Sequence, residues 1–312
     1  MPALFNFVIR VKNNTDFDKT VMKMHYINAK GILSVHNGMN LYRGCTHGCI
    51  YCDSRSKCYH INHDFEDIEI KKNAVELLES ALKKKRQKCM IGTGSMTDPY
   101  IQLELREQNL RKSLELICKY GFGFTVITKS DRILRDLDLL AKINEQSKCV
   151  VQMTLTTYDD KLCKMIEPNV STTSRRFEVL KQLRDIGIPT IVWLCPILPF
   201  INDTENNISG ILDYCIEAQV YGIINFGMGL TLREGCREFF YKNLDEKFPG
   251  LKEKYIKTYG DSYQIISLHN KKLMSLFEKK CDKHQIIRDN KEIFRYLSTY
   301  EDKSAAKQIY FF

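Results

Sequence analysis

The sequence predicts an α/β fold, an incomplete TIM-like barrel of six β-α units, (β/α)6, followed by a mainly helical C-terminal cap. Three observations carry that reading. Between about residues 73 and 229, amphipathic helical windows alternate with short β-branched runs, the order expected of successive β-α units around a parallel sheet. These five runs and an earlier one near Met39–Tyr42 make six strands, too few to close a barrel of about eight, so one side should stay open. After Leu232 the alternation gives way to polar, aromatic-rich helical windows.

The elements follow in order. A first strand is expected near Met39–Tyr42. The next helix is centred on Ala74, Leu77, Leu78, Ala81 and Leu82, which repeat at i, i+3, i+4, i+7 and i+8 and therefore share one face. Lys83, Lys84, Lys85 and Arg86 form its solvated end, where positive charge suits the helix dipole. Buried strands are expected at Cys89–Thr93, Phe124–Thr128, Cys149–Leu155, Ile188–Leu194 and Gly222–Phe226. Helices are expected over about 105–119, 132–143, 173–186 and 204–219. Gly121 and Gly187 sit just past two of them, where a left-handed C-cap favours glycine. These elements divide the chain into an N-terminal extension (1–36), the partial barrel (37–230) and a helical cap with a tail (231–312).

Composition sets the surroundings. The 312 residues are 44% hydrophobic, enough for a sizeable core, and the net charge of +9 favours an anionic partner without making a polycation. The apolar residues near the start are broken by Asn6, Arg10 and Lys12, unlike a secretory leader. The longest apolar stretch, Ile191–Ile201, holds two prolines and is about half a membrane span. A cytoplasmic protein with no membrane partner is expected. In a reducing compartment its twelve cysteines point to metal or redox chemistry rather than disulfides.

The sharpest motif is Tyr42-Arg43-Gly44-Cys45-Thr46-His47-Gly48-Cys49-Ile50-Tyr51-Cys52, which spaces Cys45, Cys49 and Cys52 as C-x3-C-x2-C just after the first strand. Three soft thiolates so close can grip three corners of an iron–sulfur cubane and leave the fourth iron open to a ligand. The competing reading is a closed zinc site with Cys58 or His60 as fourth ligand, which would make the chain a zinc-stabilised nucleic-acid-binding module.

This loop resembles that of the radical S-adenosylmethionine (SAM) enzymes, with Tyr51 as the aromatic of their C-x3-C-x-aromatic-C pattern. Further blocks narrow the resemblance: Thr97-Asp98-Pro99-Tyr100, Thr128-Lys129-Ser130 with Leu134-Arg135-Asp136, Glu167-Pro168, and Pro196-Ile197-Leu198-Pro199 with Asn202-Asp203. In this order they are similar to the spore photoproduct lyase-like branch, the "DNA repair photolyases". The resemblance implies a partial barrel of the radical SAM type, a 4Fe-4S cluster on the three cysteines, and SAM as cofactor. It also implies reductive cleavage of SAM to a 5′-deoxyadenosyl radical that abstracts hydrogen, and an electron donor such as flavodoxin or ferredoxin. The implied substrate is a damaged or modified nucleotide in DNA, and the competing substrate within the same chemistry is a peptide or a small metabolite.

Residues for SAM then follow the strand ends, where barrel enzymes keep their sites. Gly94 and Ser95 can bring bare backbone to the methionine amine, with Thr97 and Asp98 as hydroxyl and carboxylate partners. Lys129 can pair with the carboxylate as a point charge. Thr154 and Thr156 share one strand face and can reach the ribose. Spore photoproduct lyase-like enzymes of the founding type carry a hydrogen-donor cysteine where Ser95 stands here. Cys89, Cys195 and Cys236 are the thiols that can replace it, and Tyr259, on a helix-spaced tyrosine stripe, can relay hydrogen; Cys236 and Tyr259 are the catalytic candidates. Arg132, Arg135, Arg175 and Arg176 can meet an anionic substrate or simply pair with neighbouring acids. The last residues, Gln308 to Phe312, resemble the peptide by which bacterial repair proteins dock on the replicative sliding clamp.

Overall fold

The computed structural model describes residues 23–303. Its elements begin with β1 (Met24–Ile27), β2 (Gly38–Met39), β3 (Tyr42–Arg43) and β4 (Ile68–Lys71), then α1 (Ala74–Lys84) and β5 (Met90–Thr93). Next come α2 (Glu104–Glu107), α3 (Asn109–Lys119), β6 (Gly123–Thr128), α4 (Leu137–Gln146), β7 (Cys149–Thr154), α5 (Asp160–Ile166), α6 (Thr173–Asp185) and β8 (Thr190–Trp193). The chain continues through α7 (Glu205–Glu217), β9 (Gly222–Ile224), β10 (Gly229–Thr231), α8 (Cys236–Lys247), α9 (Leu251–Tyr259), β11 (Gln264–Ile266), α10 (Asn270–Lys283) and α11 (Asn290–Ser298).

Six strands form the parallel sheet in the order β2-β5-β6-β7-β8-β9, the incomplete barrel the sequence predicts. The strand expected at Met39–Tyr42 splits in two. Gly38–Met39 starts the barrel, whereas Tyr42–Arg43 pairs antiparallel with β4, whose other edge pairs in parallel with β1. This small second sheet was not foreseen: strands of two to four residues are too short to show a period of two.

The helix expected over 105–119 is interrupted at Gln108, which adopts a left-handed conformation (φ 54°). The cause is Glu104, a buried carboxylate that accepts from the backbone N–H groups of Leu110 and Arg111 at 3.0 and 3.3 Å. It satisfies the open N-terminus of α3 from the preceding turn. The helix expected from residue 132 begins instead as a 3₁₀ turn, Asp131–Asp136, capped by the Ser130 hydroxyl. Gly121 and Gly187 do take positive φ beyond α3 and α6, as C-caps require.

The two faces of the sheet differ. Val151, Val192 and Ile223 point outward into the main core with the surrounding helices. Val150, Ile191 and Ile224 point inward and pack with Ile293 and Leu297 of α11. The last helix therefore fills the lower barrel and covers its open side. Residue 287 pairs with Gly222 and accepts from the Ile223 N–H at 2.9 Å, protecting the edge of β9. Above this apolar layer, Gln152 donates to Thr125 and accepts from the Trp193 indole N–H, both at 2.8 Å, closing a polar floor across the interior.

The segment expected to cap the barrel is thus spread around it. Helices α8 and α9 and the antiparallel pair β10–β11 pack beside Cys49, Ile50 and Tyr51, while α10 lies against α7. Lys148, buried below β7, donates to the carbonyls of Tyr296 and Thr299 and pairs with Glu301 at 2.7 Å, holding the C-terminal stretch to the bottom of the barrel. The sequence Gln308–Phe312 lies outside the described residues. Among the described residues, no helix is long and apolar enough to cross a membrane.

Candidate active site

The strand ends meet in one cavity of about 500 Å³. Gly94 and Ser95 follow β5, Thr128 and Lys129 come at the end of β6, Thr154 ends β7, Cys195 and Pro196 follow β8, and Phe226 and Gly227 follow β9. The loop bearing Cys45, His47, Cys49, Tyr51 and Cys52 closes one wall, and Gln264 and Ile266 of β11 edge another.

The three thiols face this space and sense one another: burial pushes Cys45 up to about 12, with Cys52 adding to the effect. Burial likewise holds Cys49 well above the usual thiol range, against the pull of Lys129. Cys58 and His60, the alternative fourth ligands, are exposed and line no part of the cavity. The donor set, three soft thiols of one loop facing the cavity, fits an iron–sulfur core.

Buried braces hold the loop. The Tyr51 hydroxyl donates to Glu167, which pairs with the Arg176 guanidinium, and all three side chains are buried. Arg176 reaches on to the Thr154 carbonyl at 2.5 Å, tying the cysteine loop to the end of β7. Burial opposes charge on Glu167, but Arg176 and Lys129 outweigh it and keep the carboxyl below its ordinary value. Arg176 is therefore a structural arginine rather than an exposed one. Arg175 pairs at the surface with Asp131, and Arg135 with Glu104 and Asp136. Arg132 donates to the Ser130 hydroxyl at 3.3 Å.

The predicted SAM residues separate into two groups. Gly94, Ser95, Asp98, Lys129, Thr154 and Tyr51 line the cavity, whereas Thr97 and Thr156 do not. Thr97 donates to the Gly44 carbonyl at 2.9 Å, and Thr156 is buried against Glu167 at 3.4 Å. Asp98 accepts from the Thr128 hydroxyl and the backbone N–H of Lys129 at 2.9 and 2.7 Å, and it lies 3.5 Å from His47, so most of its capacity is spent bracing the site. Gly94 has φ +97°, and a Cβ there would stand 2.1 Å from the Ile127 carbonyl. The glycine is required by the neighbouring strand as well as by the cavity.

Among the described residues, Lys129 is the only lysine of the lining. Its ammonium lies 5.9 Å from the Tyr51 ring centre and forms no ion pair among the described residues. Burial works against its charge, but Cys49, Glu167, Cys52 and Asp98 together hold its pKa above the ordinary value. His47, pushed below its ordinary value by burial against the opposing pull of Asp98, has a buried Nε2 with no partner. An uncommitted ammonium and an orphaned imidazole nitrogen on one wall suit a polar, zwitterionic ligand.

The catalytic candidates Cys236 and Tyr259 lie outside the lining: Cys236 donates to the Asp53 carbonyl at 3.3 Å, and Tyr259 packs on Phe200 and Tyr255. The thiol that does line the cavity is Cys195. Sequence reading named it only among substitutes and overlooked Trp193 and Phe226. Their signal was present, because aromatic side chains at the carboxyl ends of barrel strands face the site.

Strand-end cavity, triple-thiol loop and partial parallel barrel together define a barrel enzyme built around a bound metallocofactor. The model of the Radical SAM superfamily matches residues 39–209, more than half of the chain, and the chain belongs to that superfamily. It is a radical SAM enzyme, with a 4Fe-4S cluster and S-adenosylmethionine as its cofactors. Uncharacterised proteins of Mycobacterium bovis and Mycobacterium tuberculosis are 28% identical over 229 residues, covering 71% of this chain and 66% of theirs. One from Methanocaldococcus jannaschii is 32% identical over 169 residues, 54% of this chain and 62% of its own. The chain thus spans about two thirds of the length of these relatives. Among solved structures, a cysteine-to-serine mutant of spore photoproduct lyase shares the fold with a TM-score of 0.60 at 13% identity, over 84% of this chain and 79% of that one. Another mutant, with bound AdoMet and dinucleoside spore photoproduct, gives 0.56 at 15% identity, over 80% and 73%.

Proposed function

We propose that the enzyme abstracts hydrogen from a nucleobase-bearing substrate, a damaged or modified nucleotide in DNA, presented at the mouth of the strand-end cavity. When bound, the cofactors supply the oxidant, one electron through the cluster splitting SAM into methionine and a 5′-deoxyadenosyl radical. In this reading Cys45, Cys49 and Cys52 hold three of the irons. Lys129 pairs with the carboxylate of the methionine moiety, while the Gly94–Ser95 backbone and Thr154 at the end of β7 flank the rest of the cofactor, and Thr156 acts behind the wall through Glu167. Thr97 and Asp98 act by fixing the wall. Cys195, in place of the cysteine missing at Ser95, returns hydrogen to the substrate radical, since an S–H bond breaks more readily than the O–H of serine, and one electron from the donor with a proton restores the thiol from the thiyl radical left behind. Flavodoxin or ferredoxin as electron donor, a cytoplasmic setting and a clamp contact through Gln308–Phe312 belong to the same reading; the free state of all twelve cysteines supports the reducing compartment.

The observation that carries the substrate class is the aromatic mouth. Phe226 lines the cavity yet is 62% exposed, and it packs with Trp193 and Phe294 at ring separations of 6.2 and 6.5 Å. A flat apolar face at a radical site is suited to stacking a base, worth about 1–3 kcal/mol per base. The solved relative with a dinucleoside bound supports the same choice.

The test is anaerobic turnover with dithionite, SAM and oligonucleotides carrying dimeric pyrimidine lesions. Lesion-bearing DNA should raise 5′-deoxyadenosine production, and Phe226→Ala should raise the KM for DNA by about fivefold or more, the lower bound of the stacking range. DNA that neither binds nor alters turnover would move the substrate to a peptide or small metabolite. One tightly held zinc and no SAM cleavage would leave only a zinc-stabilised nucleic-acid-binding module.

A further inference from the structure

A second cluster of metal-binding side chains lies outside the cavity, on the small sheet. We propose that His25, His63 and Glu69 form a divalent cation site of the zinc type, with two imidazole nitrogens, one carboxylate oxygen and an open position for water.

The fold builds it from two strands and a loop. β1 and β4 run parallel with His25 opposite Glu69, which puts both side chains on one face of the sheet. His63 sits on the loop entering β4, and one ligand atom from each residue lies within 4.8 Å of the others. The rings of His25 and His63 stand edge to face with centres 4.9 Å apart. Two imidazoles on one tetrahedral ion, at Zn–N about 2.0–2.1 Å, put their centres roughly 5 Å apart.

The hydrogen bonds fix which nitrogens are free. His63 Nδ1 lies 2.9 Å from the Asp64 carbonyl oxygen, which can only accept, so Nδ1 carries the hydrogen and Nε2 of the neutral ring keeps its lone pair. That Nε2 is buried and has no hydrogen-bond partner. His25 Nδ1 lies 3.1 Å from Asp67 Oδ1, so the same assignment holds. A carboxylate behind a histidine that offers its other nitrogen outward is the usual support of a metal-bound imidazole. The Glu69 carboxylate forms no hydrogen bond or ion pair with a described residue. His25 keeps 38% of its side chain exposed, leaving a path for the ion and a place for water.

The site also has a place in the molecule. Cys45 donates its backbone N–H to the Phe65 carbonyl at 2.9 Å, and Phe65 lines the cavity between His63 and Glu69 in sequence. A cation clipping His63 and Glu69 to β1 would stiffen the segment that backs the cysteine loop, and this holds whatever the substrate is.

The test uses the full chain with its cluster already assembled, so that the thiols are occupied. Equilibrium dialysis against zinc chloride, read by plasma mass spectrometry, should give one zinc per chain beyond the iron. His63→Ala and Glu69→Ala should abolish that zinc while iron content and the cluster's visible absorption stay at wild-type level. Asp67→Ala, which keeps all three ligands, should weaken zinc binding about 10–100-fold, and it decides the matter if either ligand variant fails to fold. No zinc at micromolar concentration in the wild type, or equal zinc in the variants, would overturn the proposal.

Discussion

Ser95 and Cys195 show how much a single side chain can decide. Both line the cavity, one after β5 and the other after β8, but only the thiol has an S–H bond weak enough to give up hydrogen to a carbon radical. Cys195→Ala should therefore keep SAM cleavage near its wild-type rate while the restored substrate gives way to side products, read by mass spectrometry of the oligonucleotide. An unchanged product pattern would remove Cys195 from the role. At this scale the sequence was most legible where chemistry is local. Cys45, Cys49 and Cys52 are neighbours in sequence and end as neighbours in space, and Gly94 and Lys129 can be placed by counting to strand ends. Thr97 and Thr156 were not separable from true lining residues, because a side chain's inward or sideways turn depends on partners such as Gly44 and Glu167, 53 and 11 positions away.

Among elements, the cysteine loop and β7 are coupled through the chain Tyr51, Glu167, Arg176 and Thr154. Removing one charge of a fully buried pair leaves the other without compensation, a cost of about 3–5 kcal/mol. Glu167→Gln should lower Tm by on the order of 10 °C in a chain of this size, followed by circular dichroism, and cluster content after reconstitution should fall with it. A melting temperature unmoved by the change would mean that the pair does not support the loop. Five of the barrel strands, β5 to β9, were readable because each follows its own helix, giving a local change of period. Strands β1, β3, β4, β10 and β11 escaped because their pairing joins distant residues, Tyr42 to Ile70 and Leu230 to Ile265 among them. The break at Gln108 was equally hidden: a buried Glu104 acting as a cap leaves no mark on the hydrophobic pattern.

For the molecule as a whole, the open barrel is closed by its own C-terminal stretch. Inward-facing Val150, Ile191 and Ile224 have no opposing strands and instead meet Ile293 and Leu297, while residue 287 occupies the edge of β9. A chain truncated after Lys283 should expose an unpaired strand edge beside apolar surface and associate into oligomers or aggregate, which light scattering would register. A monomeric, cluster-loaded truncation would show that the last helix is dispensable. The partial barrel was foreseen from the six runs, but not what fills it, since nothing local to α11 says which face of a distant sheet it will cover.

Lys148 gives this arrangement a direction. By fastening residues 296–301 beneath the strands, it keeps Lys303, which bonds to Asn144 and Gln146, on the side opposite the aromatic mouth. Cargo attached directly at residue 303, such as an engineered fusion, would sit at the rear and leave the front free for a long polymer, so tethering and turnover need not compete for the same ground.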